Sequence, residues 1–596
     1  MIAPMQKLSI LCLGTDSEAT LEVLRDLGVL HVTPCTEPSG ATSEVAHVRV
    51  DHAKTALTTL QSYTQHLHEP KPSTAPSSDV DAQIELVCEQ RQKHRRLEEE
   101  LTNLRQARHD LLPYGDFNPE AIKDLAEKGI TVKLYHSRDL DSVELPEGVL
   151  LHVLNTDKTG THFALVGKGD FNVAVPEFHL PEKSLGQLEA EIRSTKHSLD
   201  SINERLTTLT ALIANIEKAL HGREEAARYA DVHDTIGQHG TIAFMKGFCP
   251  EESVPAVQAA AAEHGWGLLI EDPSDEDTVP TFLKLPCWVT PIKAVLQMLA
   301  ILPGYHEADI SGVFLIFFSI FFAILIGDAG YGLLLLIVTL LARKKKPGAP
   351  AYPFVLFGIL SVGTIIWGAL TGNYFGIRPD ALPRLLQSTK VRWLTGDTAQ
   401  SHIMQLCFLI GAIHLSIAHV WNAIVLAPSL KTLAQVGWIG LVWSMYFTAL
   451  NMVLQQPLPS VFMPLLLVSV ALILLFMTPL KEMKKDWIHH AMFPLTLVNC
   501  FVDIVSYIRL FAVGLASLSV AQSFNGMAMD LGWERIWTLP IMALILLAGH
   551  GLNIILCALG ILVHGVRLNT LEFCLHKNLE WKGIPYRPFA RVPRQQ

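Results

Sequence analysis

Two different rhythms of apolar and polar positions divide this chain. From about residue 309 onward, apolar runs fall at about 310–326, 328–342, 353–371, 402–427, 434–454, 461–479, 493–530 and 536–576, and charges retreat to the stretches between them. A helix needs about 20 apolar residues to cross a bilayer, so the pattern predicts about eight crossings. The first two runs are nearly continuous. Gly327-Asp-Ala-Gly-Tyr-Gly332 parts them, and reads either as a tight turn or as a break inside one long helix.

Before about residue 285 the rhythm is that of water-soluble elements. Leu185, Leu188, Ile192, Thr195, Leu199, Ile202, Leu206, Leu209, Ile213, Ile216 and Leu220 alternate steps of three and four, a coiled-coil seam interrupted only by Thr195. A weaker segment at 82–112 keeps Leu97, Leu101, Leu104 and Leu111 on a seam, while Glu98, Glu99 and Glu100 face water. Two such segments in one chain predict an antiparallel pair, a rod reaching about 45 Å at about 1.5 Å per residue. A dimerising coiled coil is the plainer alternative. Between the arms, Ile130–Tyr135, Gly148–Leu154 and Phe163–Val166 read as strands of a small α/β lobe. Residues 5–35 read as strand–helix–strand, and 240–271 as a strand, a helix at about 252–264 and a strand.

The expected fold class is thus an α-helical membrane protein with an N-terminal α/β dumbbell containing an antiparallel coiled coil. Its expected parts are a proximal lobe (1–80, first part), a coiled-coil arm (81–112), a distal lobe (113–180), a return arm (181–225), the second part of the proximal lobe with a linker (226–290), and a membrane domain (291–596).

Composition adds exclusions. The net charge of −10 is spread over both signs, with no basic block of the kind that binds nucleic acid. Nine cysteines are scattered without CxxC spacing, so neither a zinc site nor a disulfide framework is expected, and no metal or cofactor is assigned. No GxxxxGK[ST] is present, and Gly167-Lys-Gly-Asp170 does not replace it, so the chain is not expected to hydrolyse ATP itself. The apolar start is short and leads to Asp16 and Glu18, which reads as a first strand rather than a secretory signal. Lysines and arginines gather at 343–346, at 481–485 and after 577; with eight crossings all three groups share the side of the soluble half, which is then cytoplasmic together with the C-terminus.

The informative residues are the polar ones inside the apolar runs. Arg509 lies in the middle of the seventh, where its guanidinium stays charged and costs from about 3 to over 10 kcal/mol at the bilayer centre. Apolar residues continue for several turns after it, which disfavours snorkelling to the headgroups; a pair with a carboxylate of another span is the structural alternative to a functional charge. The seventh run also carries Asn499, Asp503, Ser506, Tyr507, Ser517, Gln522 and Asn525, and the eighth carries His550, Asn553, His564, Arg567 and Glu572. On one continuous helix Asp503 and Arg509, six apart, point to different sides. His414, His419 and His550 are expected as hydrogen-bonded core histidines, and the Ser, Asn and Gln side chains as interhelical glue unless they border Arg509.

With these residues in view, the chain resembles the a/I subunit, the membrane stator, of V-type and archaeal-type rotary ATPases and ATP synthases. Ser506-Tyr-Ile-Arg509-Leu-Phe-Ala matches that family's S-Y-x-R-L-x-A segment, and Val563-His-Gly-Val-Arg567-Leu-Asn-Thr-Leu-Glu572-Phe its V-H-x-x-R-L-x-x-x-E-F pattern. Gly583-Ile-Pro-Tyr586-Arg-Pro-Phe589, Gly327–Gly332, Thr371-Gly-Asn-Tyr-Phe-Gly376 and Gly411-Ala-Ile-His414 also fit, so the likeness covers nearly the whole chain. Ser517 stands where many eukaryotic members have histidine, Cys557 where some carry glutamate, and Phe248-Cys-Pro250 replaces a Gly-Trp-x-Pro style segment.

The resemblance implies a non-catalytic subunit beside a rotating proteolipid c/K ring, moving H⁺ or Na⁺ through two half-channels in step with ATP hydrolysis or synthesis. Arg509 is then the essential cation facing the ring carboxylate and Arg567 a second cation. Asn499, Asp503, Ser506, Tyr507, His550, Asn553, His564 and Glu572 are candidate lining. The implied partners are the ring, peripheral-stalk E/G-type subunits, a central-stalk adaptor, the soluble ATPase head through the stalks, and the bilayer; the implied location is the plasma membrane of a prokaryote. A secondary ion transporter with a cytoplasmic coiled-coil domain is the alternative, since glycine-broken spans occur in such folds. A membrane-anchored scaffold or receptor is a third.

Overall fold

A computed structural model describes the chain except at residues 35–40, 65–78, 139, 141–142, 144, 158–159, 180–181, 378–381, 397, 479–489, 533–535 and 592–596. Lys481, Lys484, Lys485 and Arg594, members of the basic groups that set the predicted orientation, lie outside the described residues. The chain divides into two compact units. One comprises Met1–Leu8, Phe248–Ala256 and Ile270–Pro588; the other Ser9–Gly247, Val257–Leu269 and Phe589–Gln596.

In the second unit, helices Val80–Leu111 and Leu185–Leu209 run antiparallel: Arg108, near the end of the first, meets Glu189, near the start of the other, at 3.1 Å. The second helix opens with a capping box, in which Ser184 Oγ accepts from Gln187 N–H and Gln187 Oε1 accepts from Ser184 N–H. Leu188, Thr195, Leu199 and Leu206 are buried, so Thr195 sits in the seam it was expected to interrupt. A turn at Thr210–Leu212 leads into a further helix, Ile213–Asp234. The pair does not close its core alone. Helix Ala41–Thr64, which no heptad announces, lays Ala53, Ala56 and Leu60 against Ile84, Val87, Leu206, Leu212 and Ile216. Its apolar face is built from alanines, which bury well but mark a sequence weakly.

The predicted strands form two sheets. Leu150–Thr156, Thr161–Lys168, Ile130–Ser137 and Glu177–Phe178 lie side by side in that order, all antiparallel. The other sheet runs His31–Thr33, Ile242–Pro250, Met5–Leu13 and Gly267–Glu271, with Gly237–His239 also on Ile242–Pro250.

In the first unit, helices occupy all eight predicted apolar stretches. Five are long and apolar enough to cross a bilayer: Ala351–Thr371, Ala399–Leu426, Lys431–Leu454, Phe493–Asp530 and Thr538–Lys577. Ser311–Ile326 and Phe462–Phe476 are apolar but shorter, and Ala329–Lys345 has 17 residues and ends in Arg343, Lys344 and Lys345. The chain is thus of the multi-span helical class. The segment about 310–342 is two helices, not one.

The boundary between those two explains both glycine motifs. Gly327 takes the left-handed conformation that ends the first helix, at φ 66°, and Asp328 caps the second. The buried Asp328 carboxylate accepts from the backbone N–H of Gly330 (2.7 Å), Tyr331 (3.2 Å), Phe375 (2.8 Å) and Gly376 (3.0 Å). Asn373 returns the contact: its carbonyl accepts from Ala329 N–H and its amide donates to Gly327 O. Gly368 allows the approach, since a Cβ there would lie 2.0 Å from Ala329 N. Asp328→Ala strands up to four buried donors, each worth about 1–3 kcal/mol when left without a partner. We expect it to lower stability by on the order of 3 kcal/mol, read as an earlier thermal transition of the purified protein, with Asp328→Asn intermediate; an unchanged transition would refute the latch.

Candidate functional site

The two longest apolar helices carry the polar cluster. Phe493–Asp530 is interrupted at Tyr507, whose N–H bonds Ile504 O in a tight turn rather than continuing the α-helical ladder. The break leaves Ser506 O to be taken by Arg509 Nε at 2.9 Å. Asp503 and Arg509 do not pair with each other, yet both reach the last helix, Asp503 to His576 and Arg509 to Glu572.

The partner helix is irregular at the matching height. Ile561–Gly565 and Leu568–Glu572 are π-helical. A π turn brings residues five apart onto one side, which places Arg567 Nε 3.5 Å from Glu572 Oε1, the same oxygen that Arg509 Nη2 bonds. Two guanidiniums share one carboxylate, and one positive charge stays uncompensated by it. Exposure grades across the group: the Glu572 side chain is 6% exposed, Arg509 21% and Arg567 54%. The structural alternative for Arg509, a carboxylate on another span, is thus present, but as a shared partner.

Tyr507 is fully buried and bonds His414 Nδ1 at 2.8 Å, with the imidazole stacked between Phe317 and Phe573. Gly411 makes room for the tyrosine ring, because a Cβ there would lie 2.6 Å from Tyr507 Cδ2. Ser506 Oγ only returns a bond to Asp503 O. Asn499 is exposed and, with Asp503, borders a cavity of about 420 Å³. His564 is half-buried, and its Nδ1 has no partner among the described residues.

A second polar group lies further along the same helix pair. Asn553 Nδ2 donates to Tyr331 OH (3.1 Å) and Ser517 O (3.0 Å), and Tyr331 OH meets His550 Nδ1 at 2.6 Å. His550 Nε2 meets Asn525 Oδ1 at 3.1 Å, and Asn525 Nδ2 donates to Phe375 O. His550 and His419 are hydrogen-bonded at both nitrogens, as core histidines should be, and His414 at one. Ser517 and Cys557, the two departures from the eukaryotic pattern, face each other with Oγ and Sγ 3.2 Å apart. Tyr331 and His576 escaped the sequence reading: one sits in a glycine motif that looked merely conformational, the other at the end of an apolar run. The signal for His576 was its spacing, one helical turn past Glu572.

A multi-span helical membrane protein that holds arginines and carboxylates inside its long spans is the class this geometry defines. Over 629 aligned residues the chain is 30% identical to V-type ATP synthase subunit I 1 of Treponema pallidum, covering 99% of this chain and 100% of that one. It is 29% identical over 619 residues to V-type ATP synthase subunit I of Borreliella burgdorferi, covering 100% of both. The chain belongs to the V-type ATP synthase subunit I family. No family model matches it. A crystal structure of the cytoplasmic N-terminal domain of subunit I, homolog of subunit a, of V-ATPase aligns with 44% of the chain at 15% identity and a TM-score of 0.21, too low to bear on the fold.

Proposed function

We propose that this chain is the non-catalytic membrane stator of a prokaryotic rotary V-type ATPase or ATP synthase, and that Arg509 faces the carboxylates of a turning proteolipid ring. The carrying observation is the carboxylate shared between Arg509 and Arg567, with charge left over at a surface of the long spans. A cation exposed at bilayer depth to lipid alone costs from about 3 to over 10 kcal/mol, whereas an acidic neighbour supplied by another subunit removes most of that cost. A ring carboxylate within about 4–6 Å of Arg509 would be held ionised and would release its ion. Arg567 makes this exchange cheap, because it stands ready to keep Glu572 when Arg509 turns to the passing acid. Once past the arginine, a bare carboxylate in lipid must reload from a second aqueous path.

On this reading Asn499 and Asp503 line one half-channel with the cavity beside them, and His550 and Asn553 mark the other. The antiparallel helices of the soluble half dock on peripheral stalks and resist torque. With eight crossings, the soluble half and the C-terminus are cytoplasmic. The testing experiment is purification of the chain from its native membrane under mild detergent. A small proteolipid and a soluble ATPase head are expected to co-purify; a chain that purifies alone and carries a solute in vesicles would refute the assignment.

A further inference from the structure

On the tail side of the arginine pair, four side chains from four helices form an unbroken hydrogen-bonded row. Gln435 Oε1 meets His419 Nδ1 at 2.8 Å, His419 Nε2 meets His576 Nδ1 at 2.8 Å, and His576 Nε2 meets Asp503 Oδ2 at 3.2 Å. We propose that this row is a proton-loading relay, which makes H⁺ the ion this subunit carries; the inference rests on the ion-translocating reading above.

The donor and acceptor count along the row carries the argument. With the Gln435 carbonyl toward His419, as found, His419 Nδ1 must bear a proton and its Nε2 must accept. His576 Nδ1 then donates, and one further proton has to lie between His576 Nε2 and the Asp503 carboxylate. With the Gln435 amide turned over, every role along the row reverses. His419 Nδ1 accepts, Nε2 donates, His576 Nδ1 accepts, and His576 Nε2–H donates to a bare Asp503 carboxylate. The two arrangements differ by one proton and one amide rotation. Loading takes H⁺ from water onto the Asp503–His576 end, and unloading passes the same H⁺ to the ring acid; only N–H and O–H bonds are made and broken.

The surroundings fit that use. Among the described residues no other hydrogen bond fixes the Gln435 amide, so it is free to turn. Asn422 is not: Lys577 Nζ, which can only donate, holds Asn422 Oδ1 at 2.7 Å, so the Asn422 amide faces His576 O at 2.9 Å and pins that residue. Trp438 lies parallel to the His419 ring, 4° apart, and fixes its plane. The cavity of about 420 Å³ borders His419, Gln435, Thr496, Asn499, Asp503 and His576, and supplies the water side. Among the described residues, the other charged or titratable groups around the row are Glu572 and Lys577 on the last helix, Cys500 one turn before Asp503, Arg509 beyond the break, and His414, which interacts electrostatically with His576. Hard cations take oxygen ligands, whereas two of these four links are imidazoles, whose two ring nitrogens can each donate or accept and so hand a proton across the ring.

The test uses the intact complex in vesicles, with ATP-driven acidification and ²²Na⁺ uptake recorded on the same preparation. The wild type is expected to acidify without accumulating Na⁺. His576→Gln and His419→Gln are each expected to cut acidification at least tenfold, and His576→Gly to regain it with added imidazole, which a merely structural role would not allow. Na⁺ uptake by the wild type overturns the proposal, as does wild-type acidification by both glutamine variants, or a loss in His576→Gly that imidazole leaves unchanged. Should one variant fail to assemble, the other carries the test. Arg509→Ala is the control: if it pumps normally the ion-translocating reading itself fails, and if it is inactive while the histidine variants pump at full rate only the relay falls.

Discussion

Arg509→Ala is expected to leave the complex assembled and to abolish ion transport coupled to ATP. A guanidinium beside a carboxylate lowers its pKa by about 1–3 units, so two units correspond to about a hundredfold in the balance between ionised and protonated acid. Without Arg509 each ring acid would keep its ion through the interface, and ATP-driven uptake into vesicles should fall by at least about that factor. Assembly should survive because Arg567 already stands 3.5 Å from Glu572 and can hold it alone. Arg509→Lys should fail largely as well: an ammonium buried in lipid can lose its proton, and it cannot bond Ser506 O and Glu572 at once through a planar fork. Normal pumping by Arg509→Ala would reject the assignment.

What the sequence made legible, and what it hid, follows from the range of each interaction. Apolar runs and heptads are local, so the membrane helices, the two long soluble helices and the strands near 130 and 163 fall where their patterns place them. The helix Ala41–Thr64 was hidden because its alanine-built face carries little hydrophobic contrast. Arg509, Arg567 and Glu572 were visible as charges out of place; their pairing was not. It depends on contacts between two helices and on the π turns at 561–572, across which α-helical spacing would place Arg567 and Glu572 on different faces. The glycine motifs were visible as patterns, but their cause is a contact between Asp328 and the 375–376 backbone that no single-segment reading contains. Ser517 and Cys557 looked like two separate departures. The structure places them side by side, Oγ and Sγ 3.2 Å apart, a contact across two helices that neither segment alone reveals.

Glu572→Met alone, and Glu572→Met combined with Arg509→Met, should separate the structural from the transporting role of the arginine. The single change removes the carboxylate that two guanidiniums share, and breaking a buried pair from one side costs about 3–5 kcal/mol. We expect poor assembly and an early thermal transition. The double change replaces the Arg509–Glu572 pair with packed apolar side chains, which is often neutral for stability. Assembly and thermal transition should therefore return to near wild type, and the non-additivity between the two sites measures their coupling. Transport should not return. An arginine needed only to hold Glu572 becomes dispensable once both are gone, whereas one that acts on a passing acid does not. ATP-driven uptake by the double variant at wild-type rate would make Arg509 a structural cation; a fully assembled double variant with no uptake, beside an Arg509→Ala that keeps Glu572, assembles and is equally inactive, would tie the guanidinium to the ring.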